Sequence, residues 1–84
     1  MHLTLYSKPG CHLCEGLQEK LEQIEHITLE IRDITTREDW FRAYQYEIPV
    51  LFQGNRPIPR PSPRASVAQL AKMLQKYQPD SGTE

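Results

Sequence analysis

Apolar positions along the first 34 residues alternate, then recur at helical spacing, then alternate again. In "LTLY", residues 3–6, Leu3 and Leu5 share one side, and Ser7, Pro9 and Gly10 follow, which predicts a short strand closed by a turn. From Cys14, apolar residues recur at Leu17, Leu21 and Ile24, while Glu15, Gln18, Glu19, Lys20, Glu22 and Gln23 take the remaining surface. That spacing predicts an amphipathic helix with Cys14 on its buried face. "ITLEIRDI", 27–34, alternates Leu29 and Ile31 with Glu30 and Arg32 and predicts a second strand. Thr35 or Thr36 then offers an N-cap to a short helix packed through Trp40, Phe41 and Tyr44. The run from Ile48 to Phe52, followed by Gly54-Asn55 and a short segment before prolines, predicts a hairpin. Ser62 as N-cap, with Pro63 at the first helical position, opens a last helix whose inner stripe is Val67, Leu70, Leu74 and Tyr77. The order βαβαββα starts with a right-handed parallel crossover and ends in an antiparallel hairpin and a helix. An α/β fold with a four-stranded mixed sheet and three flanking helices is therefore expected.

Length adds that 84 residues suit one domain, placed here at 1–77, with a loose tail at 78–84. The sequence holds two cysteines, Cys11 and Cys14, and a disulfide between them closes too short a loop to restrain much chain entropy. A structural staple is thus a poor use for them. The start, "MHLTLY", shows no basic segment followed by a long apolar run, and no stretch approaches the roughly 20 apolar residues of a membrane span. A cytoplasmic, monomeric protein without membrane attachment is expected, and in a reducing compartment a close cysteine pair is catalytic or metal-binding rather than permanently oxidised.

The net charge of −1 hides a division. Residues 1–55 carry five Lys/Arg against nine Asp/Glu, whereas 56–77 carry Arg56, Arg60, Arg64, Lys72 and Lys76 with no acid. Without interleaved aromatics this does not suit nucleic acid. It leaves open an acidic partner for Arg56, Arg60 and Arg64. The proline–arginine run "RPIPRPSPR", 56–64, is expected to act as a stiff connector.

"LYSKPGCHLCEGLQEKL" and "YEIPVLFQGN" carry a resemblance. A Cys-x-x-Cys after the first strand, a Lys three residues before the first cysteine, and an Ile-Pro opening the third strand resemble the glutaredoxin branch of the thioredoxin fold, and in particular its small glutaredoxin-like family. The similarity covers roughly residues 2–54. It implies a thiol–disulfide oxidoreductase acting on a disulfide-containing protein or a glutathione mixed disulfide, with glutathione as co-substrate and no other cofactor. It also implies that Lys8 meets a glutathione carboxylate. A further implication is a cis Ile48-Pro49 bond facing the cysteines, with Ile48 main-chain groups offered to the substrate, although X-Pro bonds are mostly trans. The likeness departs after the hairpin, where glutaredoxins carry a Gly-Gly and an acidic pair and this chain reads "GNRPIPRPSPRAS".

The residues supply a mechanism of their own. Thiol–disulfide exchange needs a thiolate attacker and a second thiol to break the mixed disulfide. With a helix starting near residue 12, Cys11 sits where free N–H groups and the helix dipole favour a thiolate, and Cys14 lies a turn further in. Cys11 is therefore assigned as nucleophile and Cys14 as resolving cysteine. Lys8, and His12 when protonated, offer cations beside Cys11. Two other readings stay open: a metal or iron–sulfur site, for which Cys11, Cys14 and His12 give at most three ligands per chain, and an interaction domain with incidental cysteines.

Overall fold

A computed structural model describes residues 1–77; the expected tail at 78–84 lies outside the described residues. The chain runs β1 (His2–Ser7), α1 (His12–Glu22), β2 (Thr28–Asp33), a 3₁₀ turn (Ile34–Thr36), α2 (Glu38–Tyr44), β3 (Val50–Gln53), β4 (Arg56–Ile58), α3 (Val67–Leu74) and a closing 3₁₀ turn (Gln75–Tyr77). The sheet order is β2-β1-β3-β4. β1 pairs parallel with β2 and antiparallel with β3, and β4 returns antiparallel on β3. This is the mixed four-stranded sheet and three-helix complement that the hydrophobic pattern predicts.

Because strand side chains alternate, β1 feeds two different layers. Leu3 and Leu5 face α1 and α3, and form a core with Leu17, Leu21, Leu51, Ile58, Leu70 and Leu74. Thr4 and Tyr6 face the other way, where Tyr6 stacks with Tyr44 at 4.5 Å between ring centroids and meets Trp40 and Phe52 edge-on at 5.7 and 5.9 Å. Arg32, opposite Tyr6 in the register, donates to its hydroxyl at 2.9 Å and lies over the Trp40 ring. Gly54 opens the two-residue hairpin loop with φ +61°, the left-handed backbone that a type II′ turn requires at its first central position.

Five local expectations are corrected. The last helix begins at Val67, capped by Ser66, whose hydroxyl accepts from Gln69 N–H while the Gln69 side chain accepts from Ser66 N–H. Ser62 instead forms a turn through its carbonyl and hydroxyl to Ala65 and Arg64 N–H. Thr35 and Thr36 do not cap α2: Asp33 caps the preceding 3₁₀ turn by accepting from Thr35 N–H, and Arg37 occupies the α2 N-cap without a side-chain bond. Ile31 is 40 % exposed because β2 is an edge strand, and Phe41 points away from the aromatic layer that takes Trp40 and Tyr44. Ile24 lies past the end of α1 yet still packs on the core.

Candidate functional site

The connection from β1 to α1 places the cysteines. Lys8 carbonyl accepts from Cys11 N–H at 3.3 Å, and Gly10 sits at φ +83°, near the roughly +80° of the third residue of a type II turn. Pro9 occupies the preceding position, which that turn favours. The turn delivers Cys11 as the N-cap of α1, with extended backbone and its sulfur accepting from Cys14 N–H at 3.3 Å. Cys11 carbonyl accepts the first helical bond, from Glu15 N–H at 3.0 Å. A side chain at the N-cap stands outside the helix, so Cys11 is half-exposed. Cys14 joins Leu17 and Leu21 on the buried stripe and is 1 % exposed. The two are joined as a disulfide with Cα atoms 5.3 Å apart.

Pro49 is buried at the mouth of β3, and the Ile48-Pro49 bond is cis, the isomer that the resemblance implies. Pro49 shares a groove of about 210 Å³ with His12 and Leu13, the two residues between the cysteines. The main-chain groups of Ile48 make bonds within the chain. Its N–H donates to Tyr44 carbonyl at 3.1 Å, at the end of α2, and its own carbonyl accepts from Arg60 at 3.3 Å. Only the second lone pair of that carbonyl remains for a ligand.

The cationic candidates differ in setting. Lys8 is exposed on the turn, and among the described residues its side chain makes no hydrogen bond or ion pair. The His12 ring is 96 % exposed and lies 3.8 Å from the Glu15 carboxylate, one turn along α1. Among the described residues no group of three or more His, Cys, Asp or Glu side chains gathers, so His12 does not close a three-ligand set with the cysteines.

Lys20, which the sequence places on the polar surface, and Arg60, which it leaves open to an acidic partner, build the far wall of the groove. Lys20, which belongs to the polar surface by composition, reaches from α1 to the Pro63 and Ala65 carbonyls at 2.8 and 2.6 Å. Arg60 Nη2 donates to the Glu47 and Ile48 carbonyls. Two cations thus fasten the 60–65 segment, which has no helix or strand of its own, to α1 and to the loop before Pro49. The signal for Lys20 was its spacing: Leu13, Gly16, Leu17 and Lys20 share one helical face. Arg60 had no comparable signal, since its partners lie over ten residues back in the chain.

Comparison with known proteins agrees with the fold. The family model described as "Glutaredoxin-like domain (DUF836)" matches residues 2–75. Among solved structures, the target protein XcR50 from X. campestris superposes with a TM-score of 0.71 at 28 % sequence identity, covering 92 % of this chain and 99 % of that one. Among the described residues no helix is long and apolar enough to cross a membrane.

Proposed function

We propose that this chain, which belongs to the glutaredoxin-like domain (DUF836) family, is a thiol–disulfide oxidoreductase that reduces disulfides through Cys11 and Cys14. The observation that carries the reading is the asymmetry of the pair: a half-exposed sulfur at a helix N-cap joined to one that is 1 % exposed a turn further in. In the dithiol form, Cys11 thiolate attacks one sulfur of a substrate disulfide. A Cys11–substrate disulfide forms and the other substrate sulfur leaves as thiolate. Cys14, deprotonated, then attacks Cys11 Sγ, the Cys11–Cys14 disulfide forms, and the second substrate half leaves as a thiolate. Two electrons pass from the dithiol to the substrate. A Cys11–Cys14 disulfide is the oxidised product of that cycle. A thiol reductant, glutathione or a reduced dithiol protein, returns the pair to the dithiol.

The substrate is a disulfide-bearing protein, with glutathione mixed disulfides as poorer substrates. Support for that order comes from the residues after the hairpin, where the Gly-Gly and acidic pair of glutaredoxins are replaced by a proline–arginine segment. Lost contacts to one end of glutathione cost positioning, and positioning governs rate even when the thiol chemistry survives. The test is reduction of a disulfide-bonded protein and of a small glutathione mixed disulfide side by side, with glutathione or with thioredoxin and its reductase as electron source. Faster turnover of the protein substrate is expected. Absence of turnover with every pairing, from a protein shown to hold a reducible disulfide, would remove the enzymatic reading.

A further inference from the structure

The three arginines left open by the sequence separate in the structure. Arg56 lies over the Tyr77 ring, 4.8 Å from its centroid. Arg64 is exposed and does not line the groove beside the cysteines. Arg60 does line it, and its Nη2 is committed to the Glu47 and Ile48 carbonyls. Among the described residues no carboxylate lies within ion-pair distance of Arg60. A guanidinium has five N–H donors in one plane, so anchoring Nη2 leaves Nε and Nη1 to bond elsewhere. The anchoring also removes rotamer freedom that a free arginine would lose on pairing, and it leaves Nη1 and Nε as preorganised single donors for a carboxylate oxygen, since both bidentate edges of a guanidinium include Nη2.

Beyond Arg60 the groove is apolar. Leu17 and Leu70 form buried parts of its lining, Pro61 stands at the wall, and Leu13 is 50 % exposed at the mouth. Glutathione brings carboxylates but no apolar side chain to fill such a space. A protein segment brings both. Resting on the oxidoreductase reading above, we propose that Arg60 is a specificity-determining residue of this site. It pairs with an acidic side chain on a segment of a disulfide-bearing protein, while a neighbouring apolar side chain of that segment seats against Leu13 and Leu17. The groove contributes recognition only, and the exchange chemistry stays with the cysteines.

The test uses two short peptides carrying a leucine beside either glutamate or glutamine, with serine in place of the reactive cysteine. Binding to the full-length oxidised protein is followed by NMR titration, which reads recognition independently of turnover. The glutamate peptide is expected to bind roughly five- to tenfold more tightly at low salt, the scale of one charge-assisted pair. The preference should shrink as salt rises, collapse towards one in Arg60→Met, persist in part in Arg60→Lys and be unchanged in Arg64→Met. Shifts should centre on Leu13, Leu17 and the 60–65 segment. Amide spectra of each variant establish folding, and Arg60→Lys supplies the answer should Arg60→Met not fold. Equal weakening of both peptides by the Arg60 variants would show a purely positioning role and overturn the proposal. So would a glutamate preference that survives Arg60→Met, or no preference in the wild type. A lasting preference in a protein that reduces no disulfide would uphold the recognition by Arg60 and remove the oxidoreductase reading instead.

Discussion

Cys14 N–H donates to Cys11 Sγ at 3.3 Å, so the sulfur at the head of α1 occupies the place where a serine or aspartate oxygen caps other helices. In the reduced protein the same N–H, together with the helix dipole, acts on whatever charge Cys11 carries. Cys11 is therefore predicted to alkylate faster than Cys14, with exposure favouring it as well. Peptide-mapped alkylation of the reduced protein as a function of pH checks this. Preferential labelling of Cys14 would reverse the assigned roles.

Gly16 sits inside α1, and a Cβ added there meets nothing within 4 Å. Gly16→Ala should then stabilise the protein by about 0.5–1 kcal/mol through lost unfolded-chain entropy and better helix propensity. Urea unfolding at unchanged m-value measures it. A destabilised variant would show that the helix backbone there needs glycine for a reason beyond space.

The two serines near the last helix make unequal predictions. Ser66→Ala removes the N-cap acceptor for Gln69 N–H and should cost about 1 kcal/mol, whereas Ser62→Ala loses one turn contact on the surface and should cost less than half of that. Paired chemical denaturation curves decide it. Equal losses would mean that the 62–65 turn and the helix cap act as one unit.

Burial raises the Tyr44 phenol above the ordinary tyrosine range, with the neighbouring Tyr6 adding to the shift and Arg32 opposing it. A folded value above the unfolded one means that the phenol's contribution to stability is complete below the unfolded value, near pH 10, and fades as pH rises through the raised value. Wild-type stability should accordingly fall as pH rises past the unfolded value, a loss that a phenol with equal folded and unfolded values would not cause and that Tyr44→Phe should lessen. Tyr44→Phe should remove from the absorbance titration a phenolate signal that appears above the ordinary tyrosine range. A titration unchanged by that substitution would contradict the burial argument.

Much of this architecture was legible in the sequence because the core is built from periodic positions. Leu3 and Leu5, Leu17 and Leu21, and Leu70 and Leu74 mark strand and helix faces that the structure brings into one cluster. The cysteine turn was legible for a related reason: Pro9, Gly10 and the first helical residues are neighbours in the chain, so local geometry alone brings Cys11 to the helix head. What escaped were long-range ties and edge effects. Lys20 and Arg60 look like solvated charges until the 60–65 segment is folded against them. Ser62 followed by Pro63 carries a helix-start pattern, but Ser66 with Gln69 three residues on forms the reciprocal cap that wins. Ile31 follows the alternation correctly and still meets solvent, because nothing in its own strand reveals that β2 lies at the edge.

The central claim, that Cys11 attacks and Cys14 resolves, is tested most directly by trapping the intermediate. Reduced Cys14→Ser and Cys11→Ser proteins are each incubated with a disulfide substrate and weighed by mass spectrometry under acid quench. The account predicts that Cys14→Ser gains the mass of one substrate half on Cys11, that thiol reductant removes it, and that Cys11→Ser stays unmodified. An unmodified Cys14→Ser protein, or an adduct that forms on Cys14 in Cys11→Ser, would contradict it.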